Sequence, residues 1–209
     1  MEALASPVAL HRALLPEEAA RGDFYALFAR LLHKGPDGAL LASLASADPM
    51  PRAGAPALSD AWQGLVDASK AMDAEAAREE FEALFIGVGK SEVSAYAGFY
   101  MGAPAIDHPR VRIQADLAAL GLEHRQDAAE PEDHFAGLFD AMRVLIAGSA
   151  GRKPASIAEQ RRFYEAHIRP GIGVFFEALA RSKKANYYRK VAALGAAYFA
   201  LETESFSLD

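Results

Sequence analysis

The chain has 209 residues, a length typical of one domain and sufficient to bury a substantial core. Alanine supplies 46 residues whereas Val, Ile and Thr together supply 16, which favours helices and nearly excludes a β-sandwich or a parallel α/β sheet. Cysteine is absent, which excludes disulfides, thiolate metal sites and a cysteine nucleophile. The formal net charge of −6 argues against a nucleic-acid binder and suits a cationic partner.

Proline, glycine and the spacing of apolar residues divide the chain into helical segments. In chain order, helices are predicted at about 16–34, 37–47, 58–72, 73–85, 111–120, 131–147, 155–168, 172–182 and from 187 onward. Pro131 is predicted to open its helix, and Pro170-Gly171 to divide two helices. The stretch 87–109, rich in glycine and aromatic residues, is the least helical. We therefore expect a single all-α domain, 1–209, of eight or nine amphipathic helices, with 1–15 a loosely ordered N-terminal segment.

No targeting or membrane signal is evident. The first 12 residues contain no basic segment followed by an apolar run, and no stretch reaches about 18 uncharged apolar residues. We therefore expect a cytoplasmic protein without a membrane span.

Two local patterns have ordinary structural interpretations. The string Gly87-Val88-Gly89-Lys90-Ser91 ends like a phosphate-binding loop, but Leu84 stands where the motif requires glycine, so a turn is favoured. The six histidines include no pair at the spacing of a helical metal site. His167 follows Phe163 and Tyr164 on one helical face, which favours a buried histidine with one hydrogen bond over a ligand or base.

The most distinctive cluster is Glu130-Pro131-Glu132-Asp133-His134. Proline and acidic residues are common where a helix begins, because carboxylates interact favourably with the positive end of the helix dipole. That interpretation does not require a histidine as the next residue. From the residues alone, helix initiation is favoured over a functional site, and both remain open.

At this cluster the sequence resembles the TorD/DmsD family of redox-enzyme maturation chaperones. The family's Glu-Pro-x-Asp-His motif is intact at 130–134, and its aromatic-x-x-Leu-Phe-x-Gly motif is present at 81–87. The segment that follows keeps Tyr96 and Tyr100 but has Ala95 where proline is usual and Gly98 where serine is usual. The likeness continues through the C-terminal third and covers about residues 16–202.

The resemblance implies an all-α binding protein that is not an enzyme and carries no cofactor. Its partner would be a molybdoenzyme catalytic subunit or the twin-arginine signal peptide of that subunit, held until cofactor insertion so that premature export is prevented. Monomers and domain-swapped dimers both fit the family, with the loops 121–131 and 148–154 as hinge candidates. The residues expected to contact the partner are Glu130, Glu132, Asp133, His134, Tyr96, Phe99 and Tyr100.

Each group of these residues has an expected role. The carboxylates would meet the peptide's arginines, His134 would orient the turn, and the aromatic residues would line an apolar surface. Two other hypotheses stay open at this point. One is an all-α enzyme in which His134 and Asp133 or Glu130 form an acid–base pair; the other is a purely structural helical adaptor.

Overall fold

The computed structural model describes residues 14–87, 91–102, 109–122, 132–149 and 151–208. Within these ranges the chain forms α-helices joined by short connections, and it contains isolated β-bridges but no strand. The α-helices are α1 (Pro16–His33), α2 (Gly38–Ala45), α3 (Pro56–Ala71), α4 (Ala74–Phe81), α5 (Pro109–Ala119), α6 (Phe135–Ala147), α7 (Ile157–Phe163), α8 (Arg169–Arg181) and α9 (Tyr187–Leu208). The all-α expectation is confirmed.

Side-chain caps define several helix starts, because the first N–H groups of a helix need acceptors. Asp37 accepts a hydrogen bond from the N–H of Leu40 at the start of α2, at 2.7 Å. Asp73 accepts hydrogen bonds from two N–H groups at the start of α4. Ser156 and Glu159 form a reciprocal capping box at the start of α7. These polar residues therefore set helix boundaries that apolar spacing alone leaves uncertain by a few residues.

The core lies between α1, α6, α8 and α9. α1 packs mainly against α6, and α9 packs against α8 and α3. The predicted apolar face of α6 is confirmed: its six members are buried, namely Phe135, Leu138, Phe139, Met142, Leu145 and Ile146. Stacked and tilted aromatic rings fill the centre, where Phe28, Phe139, Phe176 and Phe199 contact one another. Such ring pairs stabilise the core by more than the burial of their apolar surface alone would provide.

Gly195 allows α8 and α9 to approach closely. A Cβ atom at this position would lie 2.2 Å from Cζ of Phe176. Glycine inside a helix normally costs about 1 kcal/mol relative to alanine. Here the missing side chain makes room for a buried aromatic ring, so packing explains the glycine.

Two predicted boundaries are wrong. α6 begins at Phe135 rather than Pro131, because Glu132 and Asp133 lie in a turn and His134 caps the helix. The chain does not break at Pro170-Gly171, since α8 already begins at Arg169 and places Pro170 in its first turn, where a missing N–H costs nothing. A π-helical turn, Tyr164–Ile168, joins α7 to α8 instead.

Among the described residues, no helix is both long enough and apolar enough to cross a membrane.

Candidate functional site

A short antiparallel β-bridge brings the two sequence motifs together. Tyr96 faces His134 across it. The N–H of Ala97 donates to the carbonyl of Asp133 at 2.8 Å, and the N–H of Phe135 donates to the carbonyl of Ala95 at 2.9 Å. The aromatic segment and the acidic turn, almost 40 residues apart in sequence, therefore form one structural unit.

Side chains alternate along the aromatic segment of this bridge, as expected for extended backbone. Ala95 and Ala97 are buried, whereas Tyr96 between them is 38% exposed. The Tyr96 ring contacts the His134 ring edge-on, with centroids 5.1 Å apart. The bridge thus holds Tyr96 at the surface directly beside the start of α6.

His134 is the N-cap of α6. Its Nδ1 accepts a hydrogen bond from the N–H of Ala136 at 3.1 Å, and the residue is buried. An imidazole nitrogen that accepts a hydrogen bond carries no proton, so the ring is neutral with its proton on Nε2. A neutral cap also suits the positive end of the helix dipole. The imidazole therefore fixes the turn that carries Glu132 and Asp133.

Glu132 is held by two residues of α5. Its Oε1 accepts a hydrogen bond from Nε2 of Gln114 at 2.5 Å, and its Oε2 lies 3.3 Å from Nη2 of Arg110. The hydrogen bond from Gln114, then those from its own backbone N–H and from Arg110, lower the pKa of Glu132 below its ordinary value. The carboxylate is therefore charged at neutral pH, and its side chain is 15% exposed.

Asp133 is the more deeply buried carboxylate of the pair. Its side chain is 9% exposed, and its Oδ1 lies 3.7 Å from Nε of Arg110. That oxygen is buried and accepts no hydrogen bond within the described part of the chain. Because buried acceptors in proteins are nearly always paired, Asp133 stands out as an incompletely satisfied group.

Gly98 makes room for the Asp133 carboxylate. A Cβ atom on Gly98 would lie 2.8 Å from Oδ2 of Asp133, closer than real Cβ contacts allow. The sequence resemblance places serine at this position in the family. In this chain the carboxylate lies against the bare backbone instead, so no side chain at 98 can bond to it.

The turn after the bridge divides its aromatic residues between surface and core. Phe99 is 67% exposed. Tyr100 is partly buried against Phe135 and Phe175, and its hydroxyl donates to the carbonyl of Ser94 at 2.8 Å. Burial raises the pKa of Tyr100 to about 12. Phe99 and Tyr96 are thus the exposed aromatic residues of this segment, while Tyr100 anchors the turn.

Gly171 at the start of α8 lets this turn pack closely. A Cβ atom there would lie 3.2 Å from Cβ of Tyr100 and 3.3 Å from the carbonyl oxygen of Ala97. The absence of a side chain at Gly171 allows the backbone of the turn to rest directly on α8.

His167 lies apart from this site, as a buried histidine with a hydrogen bond. Its Nε2 lies 2.7 Å from Oδ2 of Asp116 on α5, and its ring contacts Phe163 edge-on. Burial lowers the pKa of His167, although Asp116 acts in the opposite direction. The prediction of a buried, hydrogen-bonded residue is confirmed.

Some predicted features lie outside the described residues. They are nearly all of the N-terminal segment 1–15, most of the loop 121–131 with Glu130 and Pro131, and the centre of the glycine-lysine string at 88–90. The residues flanking that string do not form a phosphate loop, because a π-helical turn (Glu82–Ile86) precedes it and non-helical residues follow from Ser91. Within the described ranges, no group of three acidic or histidine residues could hold a metal ion.

Two residues that contact Glu132, Arg110 and Gln114, belong to no motif in the sequence. They lie four residues apart on α5, so they share one helix face, and both reach Glu132. The i, i+4 spacing is visible in the sequence. The sequence does not show that both residues contact Glu132, which lies about 20 residues further along the chain.

In this all-helical fold, the exposed aromatic residues Tyr96 and Phe99 lie beside the carboxylates of Glu132 and Asp133. The chain matches the nitrate reductase delta subunit family over residues 52–177, more than half of its length and including the bridge, α5 and α6. It therefore belongs to that family, which comprises chaperones for molybdoenzyme maturation, and the resemblance to TorD/DmsD proteins is confirmed. No curated protein matches the sequence.

Proposed function

We propose that this protein binds the twin-arginine signal peptide of a molybdoenzyme catalytic subunit in the cytoplasm and retains the subunit until its cofactor is inserted. The chaperone family supports the general role. The observation that carries the specific proposal is the bridge between Tyr96 and His134, which places an exposed aromatic turn beside two carboxylates.

The apolar part of this surface suits the hydrophobic segment of a signal peptide. Both exposed aromatic side chains of the turn, Tyr96 and Phe99, belong to this part. A peptide segment that becomes helical on binding can bury its apolar side chains against such residues. The burial of aromatic anchors supplies much of the affinity in interfaces of this kind.

The acidic part suits the arginine pair. Glu132 and Asp133 are adjacent in sequence and together face the guanidinium of Arg110. Carboxylates bind guanidinium groups with strong, directional hydrogen bonds. A segment with two arginines followed by apolar residues therefore matches both parts of the surface in charge and in polarity.

Fluorescence anisotropy with labelled twin-arginine signal peptides from molybdoenzymes of the same genome tests the proposal. We expect binding at about micromolar Kd, weakened about tenfold by Phe99→Ala and by replacing the peptide's arginine pair with lysines. Leu208→Ala is the matched control, since Leu208 is exposed at the end of α9 and its loss should leave Kd unchanged. Absence of binding by every such peptide would exclude the signal-peptide mechanism.

A further inference from the structure

Arg110 already occupies the acidic part of the proposed binding surface. It is the second residue of α5, and its guanidinium lies within ion-pair distance of both Glu132 and Asp133. Its side chain is 45% exposed, far more than either carboxylate. It therefore lies on the solvent side of a largely buried acidic pair.

The contacts of Arg110 are long for charge-assisted hydrogen bonds, which are about 2.7–2.9 Å. Nη2 lies 3.3 Å from Glu132, and Nε lies 3.7 Å from Oδ1 of Asp133, which accepts no hydrogen bond within the described residues. By contrast, Arg21 binds Glu202 through two nitrogens, at 2.7 and 3.1 Å. The same chain thus contains a well-formed arginine–carboxylate pair and a poorly formed one.

Arg110 can leave without dismantling the site. Gln114 also holds Glu132, at 2.5 Å, and His134 caps α6 independently of α5. Ile113 is buried and anchors α5, while Asp116 ties the same helix to His167. A rotation of the long, half-exposed Arg110 side chain into water therefore uncovers the acidic pair and leaves its support in place.

The charge balance indicates what replaces it. Among the described residues, the formally charged carboxylates of Glu132 and Asp133 lie near a single guanidinium, that of Arg110. A partner with two neighbouring arginines would match both carboxylates and provide Oδ1 of Asp133 with the hydrogen bond that it lacks among the described residues.

We propose that Arg110 is an internal competitor: it occupies the position on Glu132 and Asp133 that an arginine of the signal peptide takes, and the peptide must displace it. The inference rests on the proposed function. Arg110 raises the energy that a ligand must supply, so it favours peptides with a full arginine pair over singly charged ones.

Kd values of a labelled twin-arginine signal peptide for the wild type, Arg110→Gln and Arg112→Gln test this inference. Removing the competitor should tighten binding about tenfold. Arg112→Gln is the matched control because it removes the same charge from an exposed position on the same helix. We expect it to change Kd less than about twofold, because water and salt screen its long-range interaction with the peptide. Circular dichroism and thermal melting check that each variant is folded.

The outcomes separate the two claims. Suppose that the wild type binds the peptide. An Arg110→Gln variant that binds no more tightly, or an Arg112→Gln variant whose affinity rises equally, would then overturn the competitor role and leave the proposed function standing. No binding by the wild type or either variant would overturn both. Arg110→Lys adds a second check, because lysine keeps the charge without the planar fork and should bind the peptide with intermediate affinity.

Discussion

Tyr96 and His134 face each other across an isolated antiparallel bridge, with their rings 5.1 Å apart and almost perpendicular. Each residue belongs to a different sequence motif, and each motif supplies a different chemistry. The bridge places an aromatic surface beside an acidic turn.

The cap formed by His134 should contribute to stability. His134→Ala removes the acceptor for the N–H of Ala136 and a buried ring, so we expect a loss of about 1–2 kcal/mol in the free energy of unfolding. Urea denaturation measures this change. His134→Asn keeps a capping acceptor and should recover part of the loss. Equal stability of His134→Ala and the wild type would show that the cap is dispensable.

The close contact between Gly195 and Phe176 predicts opposite effects for two glycine substitutions. Gly195→Ala forces the Phe176 ring to move and should destabilise the protein by about 1–3 kcal/mol. Gly173→Ala adds a methyl group on the exposed side of α8 with no atom within 4 Å, and should be neutral or stabilise by up to about 1 kcal/mol. Thermal unfolding of both variants makes the comparison. If both melt at or above the wild-type temperature, the packing account of Gly195 fails.

His167 should make the protein less stable in mild acid. Burial lowers the pKa of His167 in the folded state, so the unfolded chain binds a proton more readily. Its contribution to stability is therefore fully present above the unfolded pKa of about 6.5 and is lost as the pH falls towards the folded value. Urea midpoints at about pH 7.5 and pH 5.5 should show a smaller decrease for His167→Gln than for the wild type. If the urea midpoint falls equally in both proteins, the loss of stability in acid comes from groups other than His167.

Asp133 should matter for peptide binding through its charge. Asp133→Asn keeps the shape of the side chain that packs against Gly98 but removes the negative charge. We expect signal-peptide binding to weaken about tenfold with the fold retained. Asp140→Asn is the control, because Asp140 is an exposed carboxylate on α6 paired with Arg143. Unchanged affinity in Asp133→Asn would exclude Asp133 as a contact, whatever the control shows.

The sequence predicted the helices well where apolar spacing decides them, as in α6 and α9. The predicted helix boundaries are wrong where a single side chain or the local backbone geometry determines them. The start of α6 depends on the imidazole of His134 reaching a backbone N–H. Pro170 predicts a helix break by its residue type, but it fits the first turn of α8.

For the candidate site, the sequence predicts which residues belong to it but not how they are arranged in space. The motifs identified Tyr96, Phe99 and the acidic turn, whose binding roles stay predictions. They gave no sign that Arg110 covers the carboxylates or that Tyr100 turns into the core, because both depend on contacts between segments distant in sequence.

Photo-crosslinking most directly tests the claim that this surface binds a signal peptide. A twin-arginine peptide carrying a benzophenone side chain in its apolar segment would be irradiated with the full-length protein, and the crosslinked residues located by mass spectrometry. We predict crosslinks to the 96–100 turn and the exposed face of α5, lost when excess unlabelled peptide competes. Competed crosslinks confined to other surfaces, with none at the turn or α5, would contradict the account.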